Sequence, residues 1–326
     1  MSKILNVKKL SYSVDSGKII SNINLDCLPH QTMAVLGQSG SGKSTLLKLI
    51  AGLLEPDQGI LTIEGQPIDP PSEKLIPGHP KIKIVKQDNP LFPNISLREN
   101  IAYELRFYEE KYRRSRVEKL LKLTGLKKVA DHLPRHSSEG EQQRTAIAKA
   151  IAEEPALLLL DEPFSNLDYM NTFRMKETIK EIVGEENMAC IFVTHDVADI
   201  FGMADEVAVL KSGRIVQRGT PKKVYQSPAN EYVAGLTGNY NLITPNDLKL
   251  ISGIESSAKQ ILIRPENIDL TTNNGSDAII NKQVFKGFYY ELDLSIKNVV
   301  LQAITIQPLD ESKPAKIRIS NYHELF

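Results

Sequence analysis

The chain has 326 residues, 41% of them hydrophobic and 25% charged, with Lys+Arg and Asp+Glu both at 40. That length suits one large and one small domain, and the balanced charge gives no net field to draw the whole chain to nucleic acid or acidic lipid. Cys27 and Cys190 fit neither a metal spacing nor a disulfide framework. The N-terminal stretch lacks a signal-peptide apolar core, and no run approaches the roughly 20 apolar residues that span a bilayer.

In chain order, Ile23, Leu25 and Cys27 alternate with polar residues, as a half-buried strand does. Met33–Leu36 is a short buried strand that runs into Gly37-Gln38-Ser39-Gly40-Ser41-Gly42-Lys43-Ser44-Thr45. Leu46, Leu47, Ile50, Leu53 and Leu54 then recur at helical spacing, ahead of the Pro56–Asp57 break and Gly59. Residues 97–131 read as charged and mostly helical, broken at Gly125, and Ala156–Leu160 and Ala189–Val193 read as buried strands. Strands alternating with helices predict a largely parallel sheet with helical cover.

Beyond about residue 236, Asn239, Asn241, Pro245 and Asn246 suggest a linker or domain entry. Short β-like segments follow at Ile261–Ile263, at Tyr290, Leu292, Leu294 and Ile296, at Val299–Ile306 and at Ile317–Ile319, with a hairpin turn at Lys297–Asn298. Such a run predicts a small barrel or sandwich.

The segment 37–45 satisfies the Walker A pattern. Its glycines let backbone N–H groups converge on phosphate oxygens, and the following helix aims its positive end at the same charge. Lys43 is then expected to reach the β- and γ-phosphates of ATP, with the Ser44 hydroxyl completing Mg²⁺ coordination. Leu157–Leu160 leads into Asp161 and Glu162. A buried strand ending in Asp161 can place a carboxylate in the Mg²⁺ sphere, and Glu162 can polarise the attacking water as general base.

With both elements present, the chain resembles the ATP-binding cassette (ABC) transporter ATPases from Tyr12 to about residue 220. Several roles follow from that resemblance. Tyr12 matches the aromatic that stacks on adenine. Gln87, in Val-Lys-Gln-Asp, matches the glutamine that touches Mg²⁺ or water and senses the membrane subunits. Asp168, in Ser-Asn-Leu-Asp, matches the D-loop, and His195 matches the switch histidine that bonds the γ-phosphate and the attacking water.

The signature segment departs from the family's Leu-Ser-Gly-Gly-Gln. Here it reads Ser137-Ser138-Glu139-Gly140-Glu141, which keeps the serine and the second glycine. Ser138 and Glu141 fit a capping box at a helix start. Glu139 places a carboxylate where the family's loop presses on ATP held by the opposite subunit, so slow turnover, or reliance on a partner chain with a standard signature, is expected.

Ile263-Arg264-Pro265-Glu266-Asn267-Ile268 is similar to the small regulatory domain appended to importer ATPases. The fold expected is therefore an α/β P-loop NTPase, an ABC cassette over residues 1–236 with a helical subdomain at about 88–152. A linker and a small all-β, OB-like domain follow over 237–326.

The function implied is that of the ATPase subunit of a small-solute importer at the cytoplasmic face of the membrane. Its implied partners are transmembrane permease subunits, a second ATPase subunit in a homodimer or heterodimer, and an external solute-binding protein. Nucleic acid is not among them. A soluble member acting on DNA or ribosomes, or an exporter ATPase, is the alternative.

Overall fold

The computed structural model describes residues 2–15, 17–86, 91–165, 167–271 and 275–326. The chain divides into two compact units, Met1–Pro221 and Lys222–Phe326.

In the first unit β1 (Leu5–Val14), β2 (Gly17–Cys27), β3 (Thr32–Leu36), α1 (Lys43–Ile50), β4 (Gln58–Ile63), β5 (Gln66–Pro67) and β6 (Ile82–Val85) come first. They are followed by α2 (Leu97–Glu104), α3 (Glu110–Leu123), α4 (Glu139–Ala150), β7 (Leu157–Asp161), α5 (Tyr169–Glu185), β8 (Ala189–Thr194), β9 (Glu206–Lys211) and β10 (Arg214–Gly219). Among the described residues, an antiparallel sheet runs β2-β1-β4-β5 and a mixed sheet runs β10-β9-β3-β8-β7-β6. In the mixed sheet β3, β6, β7, β8 and β9 pair in parallel, and β10 returns antiparallel.

The apolar runs explain the order. Every residue of β3 and of β8 is buried, as a strand covered on both faces requires. The inward residues of β1 and β2 join Met33, Val35, Leu157, Leu159, Ile191 and the apolar face of α1 in one core. Burying each such aliphatic side chain contributes about 1.5–3 kcal/mol.

Helix α1 ends at Ile50, earlier than the apolar spacing predicts. The Leu53 N–H bonds the Lys48 carbonyl at 2.9 Å and the Gly52 N–H bonds that of Leu49 at 3.1 Å, which closes the helix. Leu53 and Leu54 reach the core from the turn beyond it. Cys27 and Cys190 are buried free thiols, and burial pushes Cys27 up to about 12 and Cys190 upward as well, so both are inert packing groups.

The second unit takes in most of α6 (Pro221–Gln226), then α7 (Glu231–Thr237), β11 (Asn241–Ile243), α8 (Pro245–Ser252), β12 (Gln260–Ile263), β13 (Ile268–Thr271) and β14 (Ser276–Phe285). The strands β15 (Tyr290–Ile296), β16 (Val299–Thr305), β17 (Ala315–Ile319) and β18 (His323–Leu325) complete it. Its strands form antiparallel sheets, β11-β12-β18 and β13-β17-β14-β15-β16. The β15–β16 turn is Lys297–Asn298, with Lys297 at φ 54°.

The stretch read as a linker or domain entry is folded into the second unit. The buried Asn241 amide donates to the Ile263 and Gln302 carbonyls, and Thr244 and Asp247 cap α8 reciprocally. The units part upstream of residue 236, and Arg264 supplies the reason. It is 3% exposed, and its guanidinium donates to the carbonyls of Tyr225, Ala234, Gly238 and Asn239 and to the Thr237 hydroxyl. All but the Tyr225 carbonyl, which belongs to α6, gather at the end of α7, where a cation meets the negative end of the helix dipole.

Replacing Arg264 by Met is therefore expected to strip buried carbonyls of their donor. The C-terminal unit should lose about 3 kcal/mol or more. Calorimetry of the full chain, following the transition of that unit, measures this.

Candidate functional site

Parallel pairing in the mixed sheet brings several chain crossings to one edge. Leu36 of β3 is in register with Thr194 of β8, and Asp161 of β7 with Val193. The residues that follow these strands therefore emerge together at their carboxyl ends, where open α/β sheets bind ligands.

Segment 37–42 leaves β3 with the Gly37 N–H on the Thr194 carbonyl at 3.3 Å. Gly42 caps α1 at φ 104°, a left-handed conformation that suits a residue without Cβ. A Cβ at Gly37 would lie 2.6 Å from both the Leu210 carbonyl oxygen and Ser41 Oγ, so the loop is packed from behind as well. Gln38, Ser39 and Gly40 are exposed, and Thr45 sits half-buried on α1.

Lys43 folds back under this loop, 6% exposed, and donates to the carbonyls of Gly37 at 2.8 Å and Gln38 at 3.1 Å. Burial pulls its ammonium below the usual range, opposed by Glu162 and Asp161. The Ser44 hydroxyl donates to Asp161 Oδ1 at 3.1 Å. Burial pushes the Asp161 carboxyl above the ordinary carboxylate range; the bond from Ser44 counters it and the neighbouring Glu162 adds to it. This hydroxyl–carboxylate pair offers the hard oxygen donors that suit a small divalent cation.

Glu162 adopts φ 49°, a left-handed backbone at a residue with a full side chain. Such conformations cost about 1–3 kcal/mol and persist where the surroundings enforce them. Here its N–H is held by the Val193 carbonyl at 3.2 Å, and its own carbonyl accepts from Ser165 N–H at 3.2 Å and Ser165 Oγ at 2.8 Å. The forced turn aims the carboxylate back at the loop. Glu162 Oε1 lies 3.3 Å from His195 Nδ1 and 4.0 Å from Lys43 Nζ. His195, directly after β8, keeps an exposed ring at the mouth of a cleft of about 470 Å³ that Glu162, Thr194 and Phe201 also line.

Tyr12 lies half-buried on β1, in register with Ile20 of β2. Ile20 Cδ1 would be 3.0 Å from a Cβ on Gly42, which sets the β1–β2 arm beside the loop. Gln87 lies outside the described residues.

Ser138 is the N-cap of α4, and the capping box forms as its spacing predicts: Ser138 Oγ accepts from the Glu141 N–H at 3.3 Å and Glu141 Oε2 from the Ser138 N–H at 2.8 Å. Gly140 is buried, and Glu139 is exposed at the first turn. Asp168 caps α5 through the Asn171 N–H at 2.8 Å. The loop, Asp161, Glu162 and His195 therefore converge around Lys43, whereas no hydrogen bond or ion pair links Ser138, Gly140 or Asp168 to them among the described residues.

Sequence reasoning missed Gly213. It lies in the two-residue turn between β9 and β10, at φ 74° beside Ser212 at φ 46°. Its N–H donates to the Ser41 carbonyl and its carbonyl accepts from the Ser21 N–H, both at 2.9 Å, so it pins the phosphate-binding loop to β2. A Ser-Gly pair between two strand-like runs was the available signal.

The ABC transporter family model matches residues 20–165, from β2 to just past Glu162. The spermidine/putrescine import ATP-binding protein PotA of Nitratidesulfovibrio vulgaris is 38% identical over 245 residues, 74% of this chain and 65% of its own length. The Fe(3+) ions import ATP-binding protein FbpC of Yersinia enterocolitica is 34% identical, with 82% of this chain and 80% of that one covered. The glucose import ATP-binding protein GlcV of Saccharolobus solfataricus is 34% identical, with 94% and 90% covered.

The chain belongs to the ABC transporter family. Among solved structures, CbiO1 from Clostridium perfringens, part of the ABC transporter complex CbiONQ, matches at TM-score 0.64 and 31% identity over 77% of this chain and 96% of that one. The first unit is thus an ABC ATPase cassette, a nucleotide-binding P-loop fold followed by a β-rich C-terminal unit. Asp168 and His195 lie beyond the residues that the family model matches. Among the described residues no helix is long and apolar enough to cross a membrane.

Proposed function

We propose that this ABC ATPase drives a membrane importer of a small solute, hydrolysing ATP at the carboxyl ends of β3, β7 and β8. The observation that carries the reading is the convergence of Lys43, Ser44, Asp161, Glu162 and His195 on one loop. On this reading the N–H groups of residues 37–45 and Lys43 bind the phosphates, and Lys43 exchanges its carbonyl partners for phosphate oxygens. Tyr12 stacks on adenine. Glu162 takes the proton of the attacking water, and His195 orients that water and the γ-phosphate.

Ser44 and Asp161, with Gln87, would hold Mg²⁺, which supplies neutralisation of phosphate charge when bound. Ser138, Gly140 and Asp168 complete the ATP site of a second ATPase subunit, either another copy of this chain or a paralogue. The names of the relatives support import of a polyamine, ferric ion or sugar class of solute. The membrane-spanning part would come from permease subunits on whose cytoplasmic face this chain sits, and an external solute-binding protein would deliver the cargo. The C-terminal unit would serve dimer contact and regulation.

Affinity purification of the chain from its own cells tests the assignment. Copurification of an integral membrane protein, with ATPase activity lost in Lys43→Ala, is the expected result. Copurification of nucleic acid or ribosomes without a membrane partner would overturn it.

Glu139 adds a specific expectation. Its exposed carboxylate at the start of α4 lies beside the segment assigned to the partner's γ-phosphate, and two such charges repel. Glu139→Gly should raise kcat by about tenfold, the equivalent of roughly 1.4 kcal/mol. Steady-state phosphate release decides it, and an unchanged rate removes charge repulsion as the limit.

A further inference from the structure

The contact between α4 and α5 holds an arrangement that the site as described leaves unused. Asn171, in the first turn of α5, sends its Nδ2 to Asp168 Oδ2 at 2.7 Å, while its own N–H goes to Asp168 Oδ1 at 2.8 Å. The side chain of Asp168 is therefore held at both oxygens by one residue. The remaining polar atom of that amide, Oδ1, points toward α4. A Cβ built on Gly140 would lie 3.1 Å from Asn171 Oδ1, 3.2 Å from its Cγ and 3.5 Å from Arg144 Nη1. Arg144 is 8% exposed, and its Nη1 is buried without a hydrogen-bond partner among the described residues.

Two polar groups, an acceptor and a donor, thus flank the same missing side chain. A methyl group at 140 would sit in ordinary contact with Arg144 but would require Asn171 to give by a few tenths of an ångström. Asn171 is the one that also fixes Asp168, so displacing it disturbs both segments that face the partner subunit.

We propose that Asn171 is a positioning residue that locks the signature segment at Gly140 to Asp168, so that both present one rigid surface to the ATP held by the opposite subunit. The inference rests on the assignment of Ser138, Gly140 and Asp168 to that surface. Its basis is geometric. Among the described residues no hydrogen bond joins Asn171 to those around Lys43, so it acts on turnover through Asp168 and Gly140 rather than on the ATP bound in its own chain. The side-chain amide is suited to the place because one end donates to a carboxylate while the other stays uncharged next to Gly140. An aspartate at 171 would repel Asp168, and an aliphatic residue would leave Asp168 Oδ2 without the amide that donates to it.

A double-mutant cycle tests the lock in the full chain: the parent, Asn171→Ala, Gly140→Ala and the two combined, each measured for kcat, KM for ATP and melting temperature. Asn171→Ala is expected to lower kcat by about tenfold with KM within about twofold, since it loosens Asp168 without touching the nucleotide loop. Gly140→Ala should cost about tenfold, because its methyl group presses on Asn171 at 3.1 Å and shifts the amide that holds Asp168. In the double variant that contact is gone, so Gly140→Ala should cost less than about threefold when residue 171 is already Ala.

If Gly140→Ala costs the same factor in both backgrounds, the lock does not exist. A drop in melting temperature with kcat unchanged for Asn171→Ala would assign Asn171 to helix capping alone and overturn the proposal. Failure of the underlying reading looks different: the parent would show no ATP turnover above that of Lys43→Ala, and the cycle would then have no rate to perturb.

Discussion

Replacing Glu162 by Gln is expected to leave ATP binding intact and to cut turnover by about 10²–10⁴. The substitution keeps the size of the side chain and tolerates the same backbone, so the turn at φ 49° and its bonds to Val193 and Ser165 survive. What changes is the carboxylate that sits 3.3 Å from His195 Nδ1 and 4.0 Å from Lys43 Nζ. An amide cannot take the proton of the attacking water, so a chemical step that needs a base loses it. Binding moves the other way if it moves at all. Removing a negative charge from beside Lys43 frees that cation for the phosphates and removes a repulsion from them. The pair of measurements is an ATP titration and single-turnover phosphate release. Hydrolysis at the parent rate would remove Glu162 from the mechanism, and loss of binding would mean that the substitution broke the loop rather than the chemistry.

On the proposed reading, the residues around Lys43 hold the nucleotide but do not enclose it. Lys43, Ser44, Asp161, Glu162 and His195 gather within one chain. Ser138 and Gly140 instead sit at the start of α4, with Glu141 drawn back into the capping box and Glu139 left in solvent. On that same reading a second subunit closes over ATP, and ATP favours the closed pair only through contacts it makes there and nowhere else. The proposal thereby assigns the unusual residue of this chain, Glu139, to the closing surface rather than to the binding loop.

The parts of the site that were legible in the sequence are those fixed by local chemistry. A glycine-rich turn after Met33–Leu36, an acidic pair after Leu157–Leu160 and a histidine after Ala189–Val193 each read from a few consecutive residues, and parallel register then brings them together. The capping box of Ser138 and Glu141 was legible for the same reason. Helices α7 and α8 were not. The first, capped by Asn230, drew no reading of its own; the second begins with Thr244 and Pro245, and the residues that cap helices are those that make turns, so that stretch read as a linker or domain entry. Arg264 was visible as part of a short motif, but its acceptors lie 25 to 39 positions away and no local pattern names them. Asn171 and Gly213 escaped notice because each matters only through what the fold sets against it.

Gly213 leads to the largest structural effect expected of a single added methyl group. Gly65 provides a matched control, because both glycines occupy the second position of a two-residue turn. Glu64 and Gly65 join β4 to β5 at φ 50° and 79°, and Ser212 and Gly213 join β9 to β10 at 46° and 74°. The backbone strain of an alanine is therefore the same at either site, about 1–2 kcal/mol. The surroundings are not. A Cβ on Gly65 meets nothing within 4 Å, whereas on Gly213 it would fall 2.0 Å from the Ile19 carbonyl oxygen and 2.8 Å from its carbon.

These are backbone atoms of β2 and cannot rotate aside, so the turn itself must retreat. Retreat breaks the Gly213 N–H bond to Ser41 and the bond from the Ser21 N–H, each worth about 1 kcal/mol, and loosens the phosphate-binding loop that Ser41 belongs to. Gly65→Ala should thus cost about 1–2 kcal/mol of stability with ATP affinity unchanged. Gly213→Ala should cost about 4 kcal/mol and weaken ATP binding by about tenfold. Denaturant titration and ATP titration of the two variants side by side measure both quantities. Equal losses would show that only the turn's backbone conformation matters, and that the turn lends no support to the loop that binds the nucleotide.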